Sequence, residues 1–197
     1  ALGPRDGEPY AGPALEYIDR ALGWAEEFGL QVVLDLHGCP GGESGDAPCG
    51  RRQRPEGTWQ WQQWDMEASL LALEVVCTRY RHHSCVTGVE VCNEPSRTTP
   101  SEVLCEYYAR AVRAIRACGM REEQVSVVLP LFQRSEKEFV RQWEAVSGGG
   151  LRNICFDTHC YHCFGGWFSG RTLAQHLRAV EKNGRMLDRY PMVVGEW

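Results

Sequence analysis

Five short runs of β-branched and aliphatic residues, each preceded by a segment of helical period, constrain this chain more than any other feature. The runs lie at residues 31–37, 86–94, 125–129, 153–161 and 192–196. The helical segments before them span 13–28, 59–80, 99–118, 135–146 and 172–189. Pro13 suits a first helical turn, Leu15, Ile18, Leu22 and Phe28 approximate an apolar stripe, and Gly29 ends it. In the second helix Leu70, Leu71, Leu73, Val75 and Val76 supply the buried side. Thr99-Pro-Ser-Glu102 and Ser135-Glu-Lys-Glu138 read as capping boxes for the third and fourth. The fifth tolerates Gly184 at some cost. Strands alternating with helices imply parallel neighbours joined by right-handed crossovers. An open doubly wound sheet and a closed (β/α)8 barrel both satisfy that pattern.

The polar residues separate the two. His37, Asn93 and Glu94, Gln133, His159 and Tyr161, and Glu196 each follow or end a strand at its carboxyl side. Contributions from several strand ends make the mouth of a barrel, whereas an open sheet gathers its site near one switch point. The expected fold is therefore α/β, with a single domain over residues 1–197. There is no Gly-x-Gly-x-x-Gly and no phosphate-cradling loop.

A net charge of -5 without a basic block argues against a nucleic-acid partner and fits a neutral substrate. No apolar run approaches the roughly 20 residues of a membrane span. Ten cysteines permit disulfides, and Cys39 with Cys49, in one loop, is the best candidate pair. Cys77, Cys92, Cys118 and Cys155 fall in apolar helix or strand patterns and read as buried thiols. The Gly- and Pro-rich loop over 38–57 is long enough to expect a function for it.

Glu94 and Glu196 stand in matched settings, each at the end of a buried strand and beside an unusual partner, Asn93 and Trp197. Two carboxylates facing one cavity can cleave a glycosidic bond, one ionised and the other holding a proton. His159 and Tyr161 share a strand face and read as either a half-buried aromatic pair or a hydrogen-bond clamp. His37 with Asp35 is either an oriented imidazole or a satisfied core histidine. Cys160-Tyr-His-Cys163 invites a metal or redox reading, but no second pair stands at zinc-ribbon spacing. No metal and no cofactor are expected. Phe164, Trp167 and Phe168, in the loop after the fourth strand, are placed to stack on sugar faces.

With these residues in view, the chain resembles glycoside hydrolase family 5, most closely its exo-β-1,3-glucanase branch. The matching stretches are Leu15-Glu-Tyr-Ile-Asp-Arg-Ala-Leu-Gly-Trp24, Val33-Leu-Asp-Leu-His-Gly-Cys-Pro-Gly41, Gly88-Val-Glu-Val-Cys-Asn-Glu-Pro95, Phe156-Asp-Thr-His-Cys-Tyr-His-Cys-Phe164 and Val193-Val-Gly-Glu-Trp197. The resemblance implies a TIM barrel, here a partial barrel covering strands 3 to 7, with no counterpart of strands 1, 2 and 8. It implies a retaining mechanism, with Glu94 as acid/base and Glu196 as nucleophile. Asn93 would bind the sugar 2-hydroxyl, Tyr161 would hold Glu196, and His37 and His159 would line the sugar subsite. Phe164 would grip the glucan at the entrance, while Asp46 stands where a second entrance aromatic is expected.

Three functions follow as expectations. The first is a monomeric retaining β-glucosidase acting on β-1,3-glucan, extracellular or in the secretory pathway. The second is an endo-β-glucanase or a glucosylated-lipid hydrolase of the same family. The third, of a different class, is a carbohydrate-binding fragment without activity.

Overall fold

A computed structural model describes residues 14–49, 58–164 and 168–197. Five helices and five strands alternate: α1 (Ala14–Glu27), β1 (Val32–Asp35), α2 (Met66–Tyr80), β2 (Val86–Glu90), α3 (Ser101–Ala117), β3 (Ser126–Pro130), α4 (Glu136–Ser147), β4 (Ile154–His159), α5 (Leu173–Leu187) and β5 (Met192–Glu196). All neighbouring strands pair in parallel, and their order in the sheet follows their order in the chain. A doubly wound sheet reverses its order at a switch point. This one does not reverse, and it curls into part of a barrel.

The strand period divides the sheet into two faces. On one face Leu34, Val89, Val127, Leu129 and Phe156 pack with Leu22, Leu73, Tyr80, Leu104, Ile115 and Phe139 of the helices. The other face, inside the curl, carries Val33, Asp35, Glu90, Val128, His159 and Val193. Val33 is 51% exposed and Val193 39%, so this partial barrel leaves its inner face accessible. Gly88 belongs there because a Cβ would lie 3.0 Å from the Val33 side chain across the strand pair.

Two buried tyrosines of α3 tie the helix layer to the strand ends. Tyr107 donates its hydroxyl to the Val91 carbonyl at 2.8 Å, and Tyr108 to the Pro130 carbonyl at 2.7 Å. Beyond them, Arg134 donates to the carbonyls of Pro95 at 2.9 Å, Ser96 at 2.6 Å and Thr99 at 3.1 Å. That guanidinium fastens the loop that follows Glu94.

Several local expectations are corrected. The second helix begins at Met66, not near Trp59, because Asp65 caps it by accepting from the Ala68 amide at 3.0 Å. Leu71 and Val75 are exposed; the run Ser-Leu-Leu-Ala-Leu-Glu-Val-Val is apolar on most sides and conceals which side is inward. Neither capping box forms, since α3 and α4 start without a side-chain cap bond. Pro100 takes the cap position of α3, and the Thr99 hydroxyl is buried without a partner. Cys39 and Cys49 are buried and not joined by a disulfide, and the Cys49 thiol donates to the Ser44 carbonyl at 2.9 Å.

Candidate active site

The strand ends converge on the inner face. Glu94 belongs to the segment after β2 and Glu196 ends β5, three strands away in the sheet. In a flat sheet, strands so placed lie about 14 Å apart. Here a carboxylate oxygen of each, together with a ring nitrogen of His159, all lie within 4.8 Å of one another. Curvature closes that distance. A register irregularity completes it. Along β4 and β5, Asp157 pairs with Val193 and Thr158 with Val194, but His159 pairs with Glu196. An uninterrupted period would put Gly195 opposite His159 and turn Glu196 to the helix side. The extra residue brings Glu196 onto the inner face.

His159 occupies the centre, with its side chain only 4% exposed. Its Nδ1 hydrogen-bonds Glu94 Oε1 at 2.7 Å and stands 3.8 Å from Glu196 Oε2. Its Nε2 lies 2.9 Å from Asp157 Oδ2, as an ion pair without the alignment of a hydrogen bond. Burial pulls the imidazole toward neutrality, but Asp157 and Glu94 outweigh it and push the pKa up to about 10. The ring is therefore an imidazolium at neutral pH. Two carboxylates within 4.8 Å of each other repel by about 3 kcal/mol or more at an effective dielectric constant near 20. The two shorter attractions to the imidazolium together exceed that repulsion. This lets the two acids stand close to each other on either side of one imidazole.

Residues that sequence reasoning did not single out lie beneath the pair. Glu90 and Asp157 are buried, and their oxygens also lie within 4.8 Å of His159. Burial, with Asp157 and Asp35 nearby, pushes Glu90 up to about 9. Glu43, fully buried, accepts from the Cys39 amide at 2.9 Å and is pushed up to about 7 by burial. Burial also raises Asp35, opposed by its bond to His37. The available signal was a carboxylate inside an apolar strand: Glu90 between Val89 and Val91, and Asp157 after Phe156.

These groups make stability pH-dependent in one direction. Glu43 and Glu90 keep protons in the fold that the unfolded chain releases above about pH 4.5. His159 contributes stability that is complete below about pH 6.5 and lost as pH rises through about 10. All three lose stability as pH rises. The midpoint of thermal unfolding is expected to be higher at pH 5 than at pH 9 by about 5 °C or more. Calorimetry across that range checks it, and a midpoint that rises toward pH 9 contradicts it.

The remaining candidate residues arrange around this centre. Asn93 is buried, with its amide nitrogen 3.5 Å from His37 Nε2. His37 in turn hydrogen-bonds Asp35 through Nδ1 at 2.7 Å. The Tyr161 ring packs edge-on against His159 at 5.9 Å and Phe164 at 4.8 Å, and among the described residues it makes no hydrogen bond to Glu196. Phe164 is 65% exposed at the mouth. Trp167 lies outside the described residues. Cys160 and Cys163 are free thiols, and the intervening His162 bonds His176 of α5 through Nδ1 at 2.9 Å.

Among the described residues two cavities open here. One of about 320 Å³ is walled by Asp35, Glu90, Asn93, His159 and Glu196, whereas Glu94, hydrogen-bonded to His159, is not among its lining residues. One of about 660 Å³ runs from His159 and Tyr161 along α5, past Phe168, Arg178 and Lys182, and no carboxylate lines it. A sugar-sized ligand fits the first. Three groups of donors among the described residues have metal-like spacing. Two of them share His159, whose ring nitrogens already face Glu94 and Asp157, so its proton competes with any ion. The third, Glu26 with His83 and Cys85, sits at the opposite end of β2.

The family Cellulase (glycosyl hydrolase family 5) matches residues 7–197. The chain belongs to glycosyl hydrolase family 5. Within the family it is similar to the probable glucan 1,3-beta-glucosidase A of Emericella nidulans, 33% identical over all of this chain and 47% of the relative. It is similar also to the glucan 1,3-beta-glucosidase of Kluyveromyces lactis, 32% identical over 98% of this chain and 45% of the relative. The chain spans less than half the length of these relatives. Among solved structures it resembles endo-glycoceramidase II from Rhodococcus sp., with a TM-score of 0.58 at 17% identity over 98% of this chain and 55% of the other. That likeness is one of fold. No helix among the described residues is long and apolar enough to cross a membrane.

Proposed function

We propose that the protein is a retaining glycosidase that releases glucose from β-1,3-glucan, working outside the cell or in the secretory pathway. The observation that carries this reading is the approach of the Glu94 and Glu196 oxygens to within 4.8 Å. Retaining glycosidases hold their carboxyls about 5–5.5 Å apart, and inverting ones leave about 6.5–9.5 Å for a water. Membership of family 5 and the names of the similar relatives support the substrate class.

In the first step a Glu196 oxygen bonds the anomeric carbon as the glycosidic C–O bond breaks, and the leaving oxygen takes a proton from Glu94, which draws it from its hydrogen bond to His159 Nδ1. In the second, Glu94 takes a proton from water, the water oxygen bonds the anomeric carbon, and Glu196 departs. Glu196, with a third of its side chain exposed, is the more open of the two to an incoming sugar. Asn93 would bind the 2-hydroxyl, and Phe164, exposed at the mouth, would take a sugar face at the entrance.

The full-length protein, supplied with laminarin, is expected to release glucose as the β-anomer before mutarotation, read by proton NMR. Excess EDTA leaves the rate unchanged. First appearance of the α-anomer, or no hydrolysis, removes the reading; oligosaccharide products move it to an endo enzyme.

A further inference from the structure

Asp157 has no part in the steps above, yet it touches both arms of the site. It is 1% exposed. Its Oδ1 accepts the Gly195 amide at 2.6 Å, and its Oδ2 lies 2.9 Å from His159 Nε2. Position 195 admits no side chain, because a Cβ there would lie 2.7 Å from Asp157 Oδ1. His159 then reaches across to Glu94 at 2.7 Å. From one carboxylate, one path runs through an imidazole to Glu94, and another through a peptide N–H to the residue before Glu196.

The sheet explains why such a part is needed. Glu94 follows β2 and Glu196 ends β5, so β3 and β4 separate them and no backbone ladder ties one to the other. The irregularity that turns Glu196 inward interrupts the β4–β5 register between Thr158 and His159. Asp157 bonds the Gly195 amide beside that interruption.

We propose that Asp157 is the positioning residue of the glutamate pair, setting His159 against Glu94 and clamping the Gly195 peptide so that Glu196 stays on the inner face. The roles of the two glutamates rest on the proposed function, whereas the clamp does not. The groups facing His159 are Glu94 and Glu90 from the β2 side, Asp157 on its own strand and Glu196 from β5, with the rings of Phe132 and Tyr161 edge-on. Among these, Asp157 alone contacts both His159 and the β5 backbone.

The test uses Asp157→Asn and Asp157→Glu in the full-length protein. With asparagine, the anion beside His159 is lost, and its ring, followed by nitrogen-15 NMR without substrate, titrates roughly one pH unit or more lower. The basic limb of kcat/KM moves the same way, and kcat falls about a hundred-fold with KM within a few-fold. With glutamate, charge is restored but displaced by one methylene: the titration recovers and kcat does not. A residue that only braced β5 would lower thermal stability without moving the His159 titration. A wild-type titration in Asp157→Asn, or a shifted one with wild-type kcat, overturns the proposal. Should asparagine prevent folding, the glutamate variant decides, since wild-type kcat there excludes a positional requirement. Failure of the proposed function would show separately, as hydrolysis that survives loss of Glu196.

Discussion

Glu196→Ala in the full-length protein is expected to lower kcat on an aryl β-glucoside by on the order of 10⁵-fold. The side chain is part-exposed and among the described residues its one ion-pair contact is His159 at 3.8 Å, so removing it costs the fold little. The loss is chemical, because the oxygen that bonds the anomeric carbon in the proposed first step is gone. Azide, a small anion that fits the vacated space, is expected to restore part of the rate and yield the α-glucosyl azide. A single displacement inverts the anomeric centre where two successive ones retain it. Activity that persists in Glu196→Ala without added nucleophile, or a β-configured azide product, would remove Glu196 from the mechanism.

Glu94 is expected to show the second-largest effect, and the form of the loss distinguishes the two acids. Alanine is the wrong probe, because it leaves the His159 imidazolium buried without its 2.7 Å partner. An unsatisfied buried donor costs about 1–3 kcal/mol, even with Asp157 still 2.9 Å from Nε2. Glutamine keeps an acceptor for His159 Nδ1 and removes only the proton chemistry. With Glu94→Gln, hydrolysis of laminarin should fall by about 10³–10⁴-fold, the range of general acid–base catalysis. An activated aryl glucoside departs without a proton, so its first step survives and the covalent intermediate accumulates. A burst of aryl alcohol followed by slow turnover is the signature. Azide needs no base and should give the β-glucosyl azide. The same azide anomer from both variants would mean that the assignments are not distinct.

Much of this site was legible in residue order because strand ends announce themselves. The β-branched run before Asn93-Glu94 announced a strand, although its ladder ends at Glu90 rather than at Pro95, and the apolar run 192–194 leads directly to Glu196. His159 stood out because a histidine on a buried strand needs partners. Its partners were not legible. The expectation paired Tyr161 with a glutamate, but curvature placed His159 against Glu94 and left Tyr161 packing its ring between His159 and Phe164. The capping box at Thr99 misled because the motif fixes residue types at four positions but not which residue leaves the helical conformation, while Ser135 takes the cap of α4 without its side-chain bond. Proline took the cap of α3.

The chain by itself determined the alternation of helix and strand, the parallel pairing and the presence of an acid at the end of two distant strands. Hydrophobic period and proline placement are local properties, and they act on neighbours along the backbone. Only the tertiary structure decided that the two acids meet. That required a curl across β3 and β4, a register shift that turned Glu196 inward, and a buried imidazolium between like charges. Each depends on strands hydrogen-bonding side by side, and on burial that makes charge costly unless it is paired. No window of sequence contains both halves of that pairing.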